Sequence, residues 1–265
     1  MPERLEPGSA AWRHYGHQHV QRYAFATDRI VGRRVLDLAC GVGYGSYILA
    51  QGAGREVTGV DLSVEAVAYG RKHYQRPGLR IETGDALQWG AGEEVFDTVV
   101  SFETIEHLPD PAAFAVRLAA HVRPGGRLII SAPNTLQHKR AAMPIENPFH
   151  VSEPDHATFR GWLTPHFEIE AEWEQSAVTP LAASALDGLH DTMDSLRQRW
   201  WLRAANRIEH LLRGHRPSGV AATPRANRSL LVATELFPLL PERWSACDVF
   251  VFICRRPAPA RAGTG

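Results

Sequence analysis

Short apolar runs alternate along this chain with stretches in which apolar residues recur every three or four positions, and each change of rhythm marks an element. Residues 10–30 carry Trp12, Tyr15, Val20, Tyr23, Ala24 and Ile30, with Gly16 the one glycine and no proline, and predict a helix with interruptions. RRVLDLA (33–39) reads as a buried strand, followed by a glycine turn and a helix over 44–51. EVTGVD (56–61) is a second strand, after which Ser63 caps a helix bearing Ala66, Val67 and Tyr69. LRIETGD (79–85) is a third strand, and VFDTVVSF (95–102) a fourth, apolar enough to be central. Pro109 and Pro111 open a helix ending near Val122, RPGG reads as a turn, and RLIISAP (127–133) is a fifth strand. Five strand–helix alternations predict a doubly wound α/β domain with a mostly parallel sheet and helices on both faces.

After Asn134 the rhythm changes. A loop with Pro144, Asn147 and Pro148 leads to a short helix around 156–163; FEIEAEWE (167–174) alternates as a strand, and DVFVFICRR (248–256) brings the count to seven. Between those two strands lie residues 175–246, far more than an ordinary connection. Met193, Leu196, Trp200, Ala204, Ile208 and Leu211 recur there at helical steps, so the segment reads as a helical lid or substrate-binding insertion. The expected organisation is a core of 10–174 plus 247–256, the insertion 175–246, and flexible tails at 1–9 and 257–265.

Composition narrows the function classes. The 265 residues include 29 basic and 29 acidic side chains, so no global field draws the protein to nucleic acid or anionic lipid. Cys40, Cys247 and Cys254 form neither a disulfide framework nor a zinc pattern, and Cys40 reads as a small packing residue. Residues 1–12 lack the apolar run of a secretory signal, and no stretch has the length of a spanning helix. The expectation is a cytoplasmic protein without stable membrane association. The insertion carries Arg197, Arg199, Arg203, Arg207, Arg213 and Arg216, read as a solvated basic face; a phosphate-bearing substrate, RNA or a membrane surface are the functional alternatives.

The strongest chemical signal is VLDLACGVGYGS (35–46). Gly41, Gly43 and Gly45 follow a strand and open a helix, where glycine lets the backbone turn sharply and approach a ligand. A dinucleotide fingerprint would place its third glycine at position 46, which is Ser46. Asp37, inside the strand, suits a cofactor carrying an ammonium and a sulfonium better than a pyrophosphate. Asp61 ends the second strand, where a carboxylate can accept both ribose hydroxyls, and Asp85 beside Ala86 ends the third, where it can accept an adenine amino group. Each acid alone would pass as a helix cap or turn former; the ordered series at successive strand ends is harder to dismiss.

On these residues the chain resembles the class I S-adenosylmethionine (SAM)-dependent methyltransferases over roughly 13–174 and 248–255. The resemblance implies a Rossmann-like sheet ending in an antiparallel hairpin, matched by FEIEAEWE and DVFVFICRR. It implies that Asp37, Gly41, Gly43 and Gly45 hold the methionine part of SAM, that Asp61 binds ribose with Leu62 on adenine, and that Asp85 reads adenine with Ala86. Ala39 and Phe102, at strand ends, complete the expected cofactor contacts. The lead-in HQHVQRYAFA is similar to a segment of sugar- and polysaccharide-modifying members, with Arg22 or Tyr23 the expected contact to the SAM carboxylate. Val42 stands where those relatives have an acidic residue.

Candidate chemistry follows strand four in SFETIEHLPDP, with Glu103, Glu106 and His107, and strand five in NPFHVSE (147–153), with His150. Methyl transfer to a hydroxyl needs an aligned acceptor and a base, and His107, His150 and Glu106 are the catalytic candidates; capping or mutual pairing is the structural alternative. The set Glu103, Glu106, His107 and His150 also resembles the Glu-x-x-Glu-His plus distal His of small-RNA 2′-O-methyltransferases, which implies Mg²⁺ or Mn²⁺; a similar run occurs in ubiquinone-pathway O-methyltransferases. The expected function is SAM-dependent O-methylation of a sugar, glycoside or other small-molecule hydroxyl. The alternatives are an RNA ribose methyltransferase with a divalent metal, and a nicotinamide-dependent oxidoreductase or epimerase. Oligomeric state is not legible.

Overall fold

A computed structural model describes residues 5–7, 9–90, 95–136, 149–175, 236–241, 244 and 247–258. The Met193–Leu211 periodicity, the arginine run, Asn147 and most of the 175–246 insertion lie outside the described residues.

Helix α1 (Ala10–Thr27) is capped by Ser9, whose hydroxyl accepts from the Trp12 backbone N–H at 3.0 Å. It runs without the expected interruptions. Gly16 is a notch for Trp12, whose ring would lie 2.5 Å from a Cβ at that position, and Trp12 meets Tyr44 edge-on at 4.9 Å. Packing here overrides the weak helix propensity of glycine.

Strands β1 (Arg34–Leu38), β2 (Glu56–Asp61), β3 (Leu79–Thr83), β4 (Phe96–Phe102) and β5 (Val122–Pro133) pair in parallel in the order β3-β2-β1-β4-β5. Helices α2 (Tyr44–Leu49), α3 (Val64–His73) and α4 (Pro111–His121) connect them. The RPGG turn belongs to β5: the strand starts at Val122 opposite Phe96 and resumes at Arg127 opposite Thr98, so the segment is an irregularity within the strand. After helix α5 (His156–Leu163), β6 (Glu168–Gln175) and β8 (Val249–Arg255) extend the sheet. β8 lies between β5 and β6, antiparallel to both.

Among the described residues the sheet has eight strands, one more than expected. The addition, β7 (Leu236–Pro238), pairs antiparallel to β6 at the sheet edge, with Pro238 opposite Trp173. Proline is tolerated there because an edge strand leaves half its donors unused. The end of the segment read as helical thus contributes sheet. It is pinned where it returns: the Asn134 amide donates to the Trp244 and Cys247 carbonyls at 3.0 and 2.9 Å, and Trp244 stacks on His156 at 4.1 Å.

Period-two alternation splits the sheet between two cores. Val35, Val57, Val100 and Ile129 join Tyr23, Tyr44 and Val67 on the α1–α2–α3 face. Leu36, Leu38, Val99, Leu128 and Ile130 join Phe114 and Phe159 on the α4–α5 face. Cys40, Cys247 and Cys254 are buried free thiols. Among the described residues no helix is long and apolar enough to cross a membrane.

Candidate cofactor and acceptor site

The carboxyl ends of the parallel strands gather the predicted residues along one edge of the sheet, where ligands of doubly wound folds bind. Two non-glycine residues there adopt left-handed backbone, Ala39 (φ 65°) after β1 and Glu103 (φ 48°) after β4. Such conformations cost about 1 kcal/mol or more and persist where the surroundings enforce them.

The first part of the edge is a cradle. Among the described residues nothing lies within 4 Å of where a Cβ at Gly41 (φ 58°) would stand, so they leave the loop open above it. Its N–H donates to Asp61 Oδ2 at 2.8 Å, and the Ser63 N–H donates to Oδ1 at 2.9 Å. Each carboxylate oxygen keeps a second acceptor site for a ribose hydroxyl. Leu62 beside it is 71% exposed, an apolar surface at the cleft. Asp85 accepts from the Leu87 N–H at 2.9 Å and the Gln88 amide at 3.2 Å, with Ala86 adjacent. Gly43 (φ 85°) caps α2. These groups suit a nucleoside.

Asp37 has surroundings other than those expected of a cofactor contact. It is fully buried, accepting from the Tyr23 hydroxyl at 3.1 Å and the Ser46 hydroxyl at 2.6 Å. Ser46 thus has a positive role that the dinucleotide comparison did not reveal. Burial pushes the Asp37 carboxyl up from 3.8 to about 7 against those two hydrogen bonds. An acid raised on folding binds protons more readily folded than unfolded. Its contribution to stability is therefore full below about 4 and declines as pH rises to about 7. Asp37→Asn should flatten this slope, so the wild-type minus variant difference in denaturant-melt stability should fall across that window. A difference independent of pH would refute it.

Arg22 is 1% exposed. Its Nη1 donates to Gln175 Oε1 at 2.7 Å, and Nη2 lies 3.9 Å from Glu103 Oε2. Its Nε is buried with no hydrogen-bond partner among the described residues. An orphaned guanidinium N–H is costly and fits an anionic ligand group such as a carboxylate. Tyr23, in contrast, packs against Tyr44 and Phe102 and is taken up by Asp37.

The second part of the edge is polar and compact. Glu106 and His107 sit on a 3₁₀ turn (Ile105–His107). The Val151 and Ser152 N–H groups both donate to the Glu106 carbonyl, at 2.9 and 3.0 Å, stitching the following loop to that turn. His107 Nδ1 meets the Phe149 carbonyl at 3.0 Å; a carbonyl only accepts, so Nδ1 carries hydrogen and the lone pair of the neutral ring is on Nε2. The His107 and His150 rings stand edge to face at 4.8 Å, and His150 Nδ1 is bonded to the Glu153 carboxylate. The Glu106 carboxyl is buried without a side-chain hydrogen bond among the described residues, and burial, then Glu103, pushes its pKa well up.

Glu106, His107 and His150 each offer a ligand atom, all within 4.8 Å of one another. The fourth member of the expected metal set is not in that group. Glu103 accepts from the Ser131 hydroxyl at 2.6 Å and faces Arg22, because the left-handed turn after β4 directs it back toward β5 and α1. Glu153 was missed by sequence reasoning, although its i, i+3 spacing from His150 was a usable signal.

The fold and the edge together define a doubly wound α/β domain with a nucleoside-type cleft beside a carboxylate–imidazole cluster. Residues 36–130 match the family described as methyltransferase domain. A probable SAM-dependent methyltransferase of Mycolicibacterium smegmatis is 35% identical over 169 residues, 63% of this chain and 65% of that protein. A ubiquinone biosynthesis O-methyltransferase of Aromatoleum aromaticum is 40% identical over 110 residues, 40% of this chain and 46% of that protein. The chain thus spans less than two thirds of these relatives' length. Among solved structures, magnesium protoporphyrin IX methyltransferase of Synechocystis with bound S-adenosylhomocysteine superposes with a TM-score of 0.50 at 25% identity, covering 62% of this chain and 78% of that one.

Proposed function

We propose that this protein is a SAM-dependent methyltransferase acting on a hydroxyl of a small molecule, a sugar or glycoside being the favoured acceptor. The observation that carries the reading is the placement of Glu106, His107 and His150 in one cluster on the same sheet edge as the Asp61 cradle. The matched methyltransferase domain supports the class, and the ubiquinone-pathway relative supports oxygen as the methylated atom.

In this reading Asp61 takes the ribose hydroxyls, Leu62 and Ala86 line the adenine, Asp85 accepts its amino group, and Arg22 meets the carboxylate. SAM, when bound, supplies a methyl group on a cationic sulfur that leaves as a neutral thioether, so the acceptor's proton is the charge left to manage. His150 takes that proton on Nε2, His107 presents the lone pair of its Nε2 to a neighbouring hydroxyl of the acceptor, and burial disfavours negative charge on Glu106 beside them. Phe149, 43% exposed and next to His150 in the chain, is the aromatic candidate to meet a sugar ring.

The test is incubation with methyl-labelled SAM and a panel of methyl glycosides and catechols, followed by mass spectrometry. An O-methylated product supports the reading; binding of NAD but not SAM overturns it. Asp61→Ala should weaken SAM binding by about 1.5–3 kcal/mol in calorimetry with the fold retained, the loss expected for hydrogen bonds to a charged group. Unchanged affinity would remove Asp61 from the site.

The cluster favours a second version in which Glu106, His107 and His150 hold Mg²⁺ or Mn²⁺ and orient a diol. The ion's charge would oppose the burial that pushes the Glu106 carboxyl up. Reversible inhibition by a chelator supports this version, and chelator-insensitive methylation eliminates it.

A further inference from the structure

We propose that Glu153 is a positioning residue that fixes the tautomer and orientation of His150, presenting Nε2 to the acceptor. The inference rests on the functional reading above, but its geometry does not. A carboxylate only accepts, so its contact with His150 Nδ1 places hydrogen on Nδ1 and leaves the lone pair of the neutral ring on Nε2. The two side chains are 13% and 19% exposed, so solvent competes little for the bond.

The two imidazoles are then held in one tautomer by different means. His107 Nδ1 is taken by a backbone carbonyl, which carries no charge, and His150 Nδ1 by a carboxylate. The backbone places both acceptors. Val151 and Ser152, between His150 and Glu153, donate to the Glu106 carbonyl, and this anchors the loop on the turn that carries His107. Such orienting partners typically matter 10–100-fold to the activity or ligand affinity of the histidine they hold.

Two substitutions separate positioning from bulk stability. Glu153→Gln keeps an acceptor for Nδ1–H but removes the charge; Glu153→Leu removes both. With ¹⁵N-histidine-labelled full-length protein in mildly alkaline buffer, the long-range ¹⁵N–¹H pattern of His150 should show protonated Nδ1 in the wild type and in Glu153→Gln. In Glu153→Leu it should show mixed tautomers. On any glycoside or catechol methylated in the panel, kcat should fall about 10–100-fold in Glu153→Leu and less in Glu153→Gln, with the KM for SAM unchanged. A wild-type His150 protonated on Nε2, or a tautomer indifferent to Glu153→Leu, overturns the proposal. Loss of SAM binding together with turnover would show a structural role and also overturn it. The spectrum needs no acceptor: if no panel member is methylated while the tautomer responds as stated, the positioning assignment stands and the acceptor class is what has failed.

Discussion

His150→Ala should lower turnover about 10²–10⁴-fold while leaving SAM affinity nearly unchanged, the range expected when a positioned general base is removed. His107→Ala should cost less, because that ring orients rather than accepts the proton. The separation follows from layout. SAM is assigned to the β1–β3 ends, and the imidazoles belong to the turn after β4 and the loop after β5, rings 4.8 Å apart. Calorimetry with SAM and single-turnover methylation, run on both variants, check the two halves of the prediction. If His150→Ala retains full turnover, the acid–base reading of the cluster fails. If instead Glu106→Gln proves as damaging as His150→Ala and a chelator inhibits the wild type, the metal version replaces it.

Gly45→Ala and Gly41→Ala should separate stability from binding within one loop. A Cβ at Gly45 would stand 2.0 Å from the Tyr23 ring, which is 4% exposed, held edge-on by Tyr44 and Phe102 and hydrogen-bonded to Asp37. The ring has nowhere to move, so the variant should lose about 1–3 kcal/mol or more, as overpacked cores do, and Asp37 would lose its Tyr23 partner. A Cβ at Gly41 meets nothing among the described residues. Its cost is the left-handed backbone alone, about 1–2 kcal/mol, while the methyl enters the space assigned to the cofactor. Thermal melts should therefore rank Gly45→Ala as the less stable variant. Gly41→Ala should melt closer to wild type yet bind SAM more weakly. Equal melts for the two would contradict the packing assigned to Gly45.

The glycine of this pair that is open on its Cβ side among the described residues and the glycine that approaches a side chain look alike in sequence. Both stand in one G-x-G-x-G run, and the expectation gave both to the cofactor. Only α1 packing across α2 tells them apart. Asp37 carries the same lesson: its place in β1 was legible, but its partners come from α1 and α2. Glu103 and Glu106 are three residues apart, yet the left-handed turn at Glu103 sends one to Ser131 and Arg22 and leaves the other with the histidines.

What the chain determines by itself is local. Alternating periods set strands and helices, glycines and capping serines set the turns, and strand ends announce Asp61, Asp85, His107 and His150, because backbone conformation depends on near neighbours. What the tertiary structure decided is pairing across long separations. β8 inserts between β5 and β6, a last short strand joins β6, Arg22 is buried against Gln175, and two loops meet so that His107 and His150 share one cluster. Periodicity tells which face of an element is buried but not which distant element covers it; that choice is made by the packing of whole faces at once.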